Sequence, residues 1–241
     1  MEMALTPMAR LEAGEQGARL HPLDRALVLL RLADPQAREA PEHLPLALRD
    51  RRLLAHRRAT FGDRMECLAD CPACGSTLEF ALSASALLRE EAAAGPAEEV
   101  FEAEGWRIRL RALTSADLAA AARQGTVERA IATMTAQVIV DVTGPGEAEL
   151  PARLWPLLEE HVAGREALGE TVLDLACPDC GAGWTAGFDI GAHFWAEVQA
   201  DARRLLAEIA ALAERFGWSE ADLLAMSPAR RRAYLHLVQG P

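Results

Sequence analysis

Two five-residue turns constrain this chain more than anything else in it: Cys71-Pro72-Ala73-Cys74-Gly75 and Cys177-Pro178-Asp179-Cys180-Gly181. Both have the form Cys-Pro-x-Cys-Gly, and each lies between runs that read as β-strands. A Cys-x-x-Cys turn presents two sulfurs to one ion while its backbone amides offset the thiolate charge. Two such turns complete a tetrahedral four-sulfur set with no open position, the arrangement of a structural rather than a catalytic zinc. Cys71, Cys74, Cys177 and Cys180 are therefore the expected metal ligands, in a zinc ribbon that does no chemistry of its own. Spacing argues the other way. The pairs lie about a hundred residues apart, whereas ordinary ribbons place them about 15 to 20 apart. A long excursion must leave the ribbon between the turns and return. The competing readings are two independent buried thiol pairs, or a redox Cys-x-x-Cys of the thioredoxin type. Pro and Gly recurring at matched positions favour the shared site. Cys67, on the strand leading into the first turn, has no partner in the pattern and reads as a small buried hydrophobe.

The partners such a ribbon accepts depend on charge. The chain has 241 residues and a net charge of −11, and it contains neither lysine nor asparagine. Arginine and alanine abound instead, as codon bias in a GC-rich genome would produce, so an arginine is weaker evidence of a phosphate site than usual. The acidic balance works against nucleic acid or anionic membrane as a partner. No apolar run is long enough to span a bilayer. Met1 to Leu20 carries acidic and glycine residues where a signal peptide needs an apolar stretch, which predicts a cytosolic protein with reduced thiols.

Along the chain, the pattern is a ribbon interrupted by helices. His21–Ala33 predicts a helix with Pro22 in its first turn and a stripe through Leu23, Ala26, Leu27 and Leu30. Leu44–Phe61 predicts another, closed by Gly62. Its polar face carries Arg49, Arg51, Arg52, Arg57 and Arg58, read as a solvated face, with a docking surface for an acidic partner as the alternative. Met65–Ala69 and Thr77–Leu82 flank the first turn. Leu173, Leu175, Trp184, Ala186, Phe188 and Ile190 alternate around the second.

Between the turns, about 87–169 form an insert that begins with Glu90, Glu91 and alanines. A hairpin follows, with Glu102 and Glu104 before a turn at Gly105, Arg107 and Arg109 after it, and Trp106, Ile108 and Leu110 on the other face. Thr114-Ser115-Ala116-Asp117 opens a helix through Arg123. Val127–Val140 reads as helix, with strand possible from its β-branched residues. Gly144-Pro145-Gly146 is a break before the amphipathic segment Pro151–Val162. The longest helix spans Ile190–Phe216, with Asp189 as N-cap and Gly217 beyond its end. Its stripe of Trp195, Val198, Ala202, Leu205, Leu206, Ile209, Leu212 and Phe216 reads as core. Ser219 and Ser227-Pro228 open two short helices, the last carrying Arg230, Arg231 and Arg232 ahead of Gly240-Pro241.

Catalytic signatures are missing. No His-x-Glu or Cys-x-Glu element precedes either cysteine pair, as a zinc deaminase requires. His-Glu-x-x-His and Gly-x-Ser-x-Gly do not occur, and a phosphate-binding Gly-Lys loop is impossible without lysine. His193 as a spare ligand, and His161 beside Glu159 and Glu160, read as packed and as solvated helix residues. The chain is expected not to be an enzyme and to have no catalytic residue. A nucleic-acid role is the serious rival, because ribbons often serve such machines. Yet no arginine lies in 67–83 or 166–202, while Asp70, Glu79, Asp174, Asp179 and Asp189 flank the turns. Phosphate contacts come chiefly from Lys and Arg.

Several stretches together resemble one known family. They are His21-Pro22-Leu23-Asp24-Arg25-Ala26, the two Cys-Pro-x-Cys-Gly turns, Phe188-Asp189-Ile190, Phe194-Trp195-Ala196-Glu197, and above all Trp218-Ser219-Glu220-Ala221-Asp222 followed by the Arg-rich helix to Tyr234-Leu235. This pattern resembles the T4-type bacteriophage baseplate protein family of contractile phages and phage-tail-like injection systems. The resemblance spans most of the chain and is strongest from Leu173 onward. It implies a non-enzymatic component of baseplate assembly that works through contacts with other baseplate or tail hub proteins. It also implies a bacterial cytoplasmic location during assembly, with retention in the phage or tail-like particle left open.

The expected fold class is α+β: a discontinuous four-cysteine ribbon of two knuckle hairpins, a mixed α/β insert, and helical N- and C-terminal regions. Its segments are 1–62, 63–86, 87–169, 170–190 and 191–241. The expected cofactor is structural Zn2+, with no nucleic acid, membrane or small-molecule substrate as partner. A cytosolic zinc-ribbon adaptor in nucleic-acid metabolism is the alternative, and a redox enzyme using the cysteine pairs comes third.

Overall fold

The computed structural model describes residues 3–90, 98–145, 150–167 and 171–239. Glu91, Gly146, Gly169 and the closing Gly240-Pro241 lie outside the described residues. The described chain is a mixed α+β structure of helices and small antiparallel sheets. Three helices come first: α1 (Pro7–Gly17), α2 (Pro22–Ala33) and α3 (Leu46–Phe61). Next come the hairpin β1 (Arg64–Asp70) and β2 (Thr77–Ser83), then α4 (Ala84–Glu90). The insert contains β3 (Glu98–Ala103), β4 (Trp106–Arg111), α5 (Ser115–Ala121), α6 (Val127–Val138), β5 (Ile139–Thr143) and α7 (Trp155–Ala167). A second hairpin, β6 (Val172–Ala176) and β7 (Gly183–Gly187), leads into α8 (Ile190–Phe216), α9 (Glu220–Ala225) and α10 (Pro228–Gln239).

Helix α8 organises the core because its apolar stripe serves two clusters in succession. Ile190, Phe194, Trp195 and Val198 on its first half pack with α2, with Leu53 and Leu54 of α3, with Met65 and Cys67 of β1, and with Ala84 and Leu87. Ala202, Leu205, Ile209 and Leu212 on its second half pack with Leu11 of α1 and Leu223 and Leu224 of α9. Local chemistry sets both ends. Asp189 accepts a hydrogen bond from the Ala192 amide, and Gly217 adopts a left-handed φ of 68° while its N–H reaches the Ala213 carbonyl. Leu206 and Phe216, expected in the stripe, are exposed instead. Phe216 stacks on Trp218, ring centroids 4.5 Å apart, at the edge of the second cluster.

Helix α1 was not foreseen, since its residues show almost no apolar periodicity. Its start is nonetheless written locally. Thr6 accepts from the Ala9 amide and Pro7 occupies the first turn, where a missing N–H costs nothing. Glycines let α1 lie close to α8, for a Cβ built on Gly17 would meet the Trp195 ring at 2.1 Å. The Arg25 guanidinium lies over the same ring, 5.2 Å from its centroid, a cation–π geometry.

The arginines of α3 depart from the reading as a solvated face. Arg57 is only 2% exposed. It grips both carboxylate oxygens of Glu197 on α8, at 2.7 and 2.5 Å, and donates to the Gly62 and Arg64 carbonyls. Arg49 pairs with Asp50 and reaches Ser115 of α5 at 3.1 Å; Arg51 reaches the Leu88 carbonyl. The helix thus uses its cations as fasteners to its neighbours. On α10, Arg231 is buried and bonds to the Leu223 and Met226 carbonyls, whereas Arg230 and Arg232 are exposed.

The insert builds its own small core from Ile108, Leu110, Leu113, Val138, Leu158 and Val162. Its sheet order is β3-β4-β5. The β3–β4 hairpin turns through Glu104 and Gly105 at φ 50° and 80°, the two positive values a tight hairpin needs. Glu102–Arg107 and Glu98–Arg109 pair across the strands, while Glu104, expected in the strand, sits in the turn and pairs with Arg153. The segment Val127–Val140 divides, helical to Val138 and extended from Ile139. Thr114 and Asp117 form a reciprocal capping box at α5. A backbone bond from Leu46 to Leu113 and the Pro45–Thr114 bridge tie the insert to α3. His161 is no solvated helix end: its Nε2 lies 2.9 Å from Glu99 Oε1 and its ring packs against Phe101.

The glycines of α1 separate packing from propensity. Gly17→Ala should destabilise the protein by about 1–3 kcal/mol, the usual range for overpacking. Gly14→Ala, whose Cβ meets Ala202 at an ordinary 3.5 Å, should be neutral or stabilising by up to about 1 kcal/mol, because alanine favours helix. Urea unfolding midpoints at equal slope measure both; equal losses would contradict the close α1–α8 approach.

Candidate metal centre

Each cysteine turn is produced by the hairpin that carries it. The register of β1 and β2 runs from Arg64↔Ser83 to Asp70↔Thr77, and that of β6 and β7 ends at Ala176↔Gly183. Each therefore closes on a six-residue loop of the same design. In the first, the Cys71 amide donates to the Ser76 carbonyl at 2.9 Å and the Gly75 amide to the Cys71 carbonyl at 2.8 Å. In the second, Cys177 donates to Ala182 and Gly181 to Cys177, both at 2.9 Å. Gly75 and Gly181 have φ of 77° and 74°, a region where other residues are strained. The glycine of the Cys-Pro-x-Cys-Gly form is thus required by the turn that points both sulfurs the same way.

The four expected ligands meet. The sulfurs of Cys71, Cys74, Cys177 and Cys180 all lie within 4.8 Å of one another. They interleave across the turns: Cys71 Sγ is 3.7 Å from Cys180 Sγ, and Cys74 Sγ is 3.7 Å from Cys177 Sγ. Tetrahedral ligation at a Zn–S bond of about 2.3 Å requires sulfurs roughly 3.8 Å apart, so the donor set fits an ion at its centre. The spacing is far longer than a disulfide, and all five cysteines are free thiols. Among the described residues no other group of His, Cys, Asp and Glu side chains has metal-binding geometry. Cys71 and Cys177 are buried, while Cys74 and Cys180 face solvent.

Without a metal, the sulfurs share protons unevenly. The Ser76 hydroxyl, 3.3 Å from Cys74 Sγ, and then the Ser76 amide stabilise the Cys74 thiolate and bring that thiol down to about 6. For Cys180 the Ala182 amide also favours the thiolate, but the neighbouring sulfurs of Cys74, Cys177 and Cys71 outweigh it and push Cys180 up to about 12. The asymmetry has a sequence cause, because the residue after the turn glycine is Ser76 in one loop and Ala182 in the other. Sequence reading singled out the cysteines and passed over Ser76. Its visible signal was that difference, one of the two positions at which the turns differ, the other being Ala73 against Asp179.

Cys67 stands apart from the four. It is buried on β1, opposite Phe80, facing the main cluster. Burial first, and then the Glu197 carboxylate, raise its thiol above the ordinary value. His193 does not join the sulfurs; its Nε2 lies 3.6 Å from Glu197 Oε1 and its ring is beside Phe188. Asp70 accepts a hydrogen bond from Thr77 at 2.7 Å, at the mouth of the first turn. No protein-family model matches this chain, and neither the curated proteins nor the solved structures contain a significant match to it.

Two measurements test this geometry. Cys74→Ser should lower metal content and melt or aggregate the protein, whereas Cys67→Ala should leave bound metal unchanged by elemental analysis. Loss of metal in the second variant would mean the wrong ligand set. In metal-free protein, thiolate ultraviolet absorbance should begin to rise near pH 6 and stay incomplete until about 12, as macroscopic steps of one coupled group. Since the folded Cys74 value lies below its unfolded value of 9.0, its contribution to stability is present above 9 and lost as pH falls through about 6. Ser76→Ala should move the first step upward.

Proposed function

We propose that this chain is a structural or assembly component of a contractile phage-tail-like baseplate. It acts through protein–protein contacts, and its two cysteine hairpins close as a zinc ribbon. The observation that carries the ribbon is the convergence of four thiols at tetrahedral spacing from turns of identical hydrogen-bond design. The four ligands leave no position for water or substrate, so the ion serves as a staple. Bound metal contributes its binding free energy to folding, since the unfolded chain offers no preformed site. The assembly role rests on the resemblance of the stretches around Trp218-Ser219-Glu220-Ala221-Asp222, the cysteine turns and Phe194-Trp195-Ala196-Glu197.

Charge around the ribbon favours protein over nucleic acid as the partner. Four zinc-bound thiolates leave a net negative centre, and Asp70, Glu79, Asp174 and Asp179 stand in or beside the turns, with no arginine in 67–83 or 166–202. A phosphate backbone would be repelled there. Among the described residues no helix is long and apolar enough to cross a membrane.

The test is capture of the tagged chain from cells assembling the particle, with tail hub and sheath proteins as the expected co-purifying partners. Stoichiometric zinc, near one ion per chain, is expected in the same preparation. Retention on DNA that falls steeply with salt, with no tail protein bound, would replace this reading by the nucleic-acid one. Turnover of a disulfide substrate would replace it by the redox one.

A further inference from the structure

Remote from the cysteines, a recess opens between the end of α2, the loop 34–45 and α3. Its inner part encloses about 250 Å³ and merges through shared lining residues with a shallower outer part of about 420 Å³. Leu30 and Leu44 form an apolar floor, both buried against the main cluster. Such concavities, apolar with a few convergent polar groups, are where small ligands bind.

The polar groups on the wall divide into satisfied and unsatisfied ones. Arg31 pairs with Glu42 at 2.9 Å and Arg52 with Glu39 at 3.0 Å, so these charges cancel locally. Two acceptors remain. The Asp34 carboxylate lines both parts of the recess, and among the described residues no hydrogen bond or ion pair engages it. His56 also lines both parts. It is only 5% exposed, and its Nδ1 lies 2.9 Å from the Met3 carbonyl. A carbonyl can only accept, so Nδ1 carries a proton, and in the tautomer with that proton alone Nε2 is an acceptor. No hydrogen bond engages that nitrogen among the described residues. A buried imidazole and a half-exposed carboxylate, each with an acceptor that no described residue engages, thus line the same recess.

We infer that this recess is a binding site for a small organic cation, a primary ammonium on a short aliphatic body. The ammonium donates to Asp34 and to His56 Nε2, and the alkyl part lies on Leu30 and Leu44. An anion is disfavoured, because the inner lining has its two guanidiniums paired and one carboxylate in excess. Arg38, an exposed residue lining only the outer part, opposes the cation modestly and sits away from the floor. The chain has no lysine of its own, so no side-chain ammonium of this chain occupies the site. The assignment is independent of the metal centre and of the baseplate reading.

The experiment uses the full-length, metal-loaded protein and three four-carbon compounds with different heads: n-butylamine, n-butanol and butyrate. Titration is followed by the NMR resonances of the His56 ring and the Asp34 amide. Butylammonium should give saturable shifts, butanol weaker ones, and butyrate none at the same concentration. Asp34→Asn keeps the size of a half-exposed side chain and should weaken butylammonium about tenfold or more, as expected for one charge-assisted hydrogen bond. Arg38→Ala should leave its affinity unchanged or tighten it. Absence of saturation by butylammonium, binding of butyrate as tight as that of the amine, or an unaltered affinity in Asp34→Asn would each overturn the assignment.

Discussion

Four thiols brought together from opposite ends of an excursion dominate the architecture. Cys71 and Cys180 are separated by 109 residues along the chain, and Cys74 and Cys177 by 103. Cross-linking a loop of that size removes on the order of 5 kcal/mol of unfolded-chain entropy in the loop-closure account, a large fraction of a typical domain's stability. The insert has its own core and lies in the chain between the two cysteine hairpins. Its chain enters from β2 by way of α4 and leaves into β6, and its lateral support is the docking of Leu113 and Thr114 on the start of α3. Directly after the second hairpin the chain becomes α8, so the helix that fills both main clusters starts from the end of that hairpin opposite the cysteine turn.

Arginine carries the second layer of organisation. In a chain without lysine, guanidinium groups do inside the fold what no ammonium does well: their planar fork satisfies several acceptors at once. Arg57 joins α3, the start of β1 and α8 through Glu197 and two carbonyls. Arg231 holds α10 to the end of α9 and lies 3.4 Å from Glu208 of α8, while Asp201 receives Arg10 of α1 at 3.1 Å and also Arg204. Removing one member of such a buried pair leaves an unpaired charge and costs about 3–5 kcal/mol. These contacts set how helices register on α8. The composition that made arginine weak evidence for phosphate binding is what made it available for this work.

Elements with a local chemical signature were legible. Asp189 and Gly217 bound the longest helix because an N-cap oxygen and a left-handed glycine act within a few residues. The same holds for the Thr114–Asp117 box and for the strands that flank each cysteine turn. Helix α1 was missed because its glycines serve contact with Trp195 and spoil the periodicity that would have announced it. The burial of Arg57, Arg231 and His56 was also unreadable, since their acceptors come from elements 5 to 140 residues away. Leu206 and Phe216 continue the stripe of α8 in sequence, yet nothing packs over them closely enough to bury them.

By itself, then, the amino-acid order determined the turn chemistry: which cysteines point together, where helices start and stop, and which residues alternate. Those features arise from hydrogen bonds and dihedral preferences spanning a handful of positions. Only the tertiary structure decided that the two sulfur pairs share one site, that α8 is common to two cores, and that Asp34 and His56 are left facing a recess. Each of these depends on which distant groups exclude water from one another, and that is a property of the packed chain with no counterpart in local spacing.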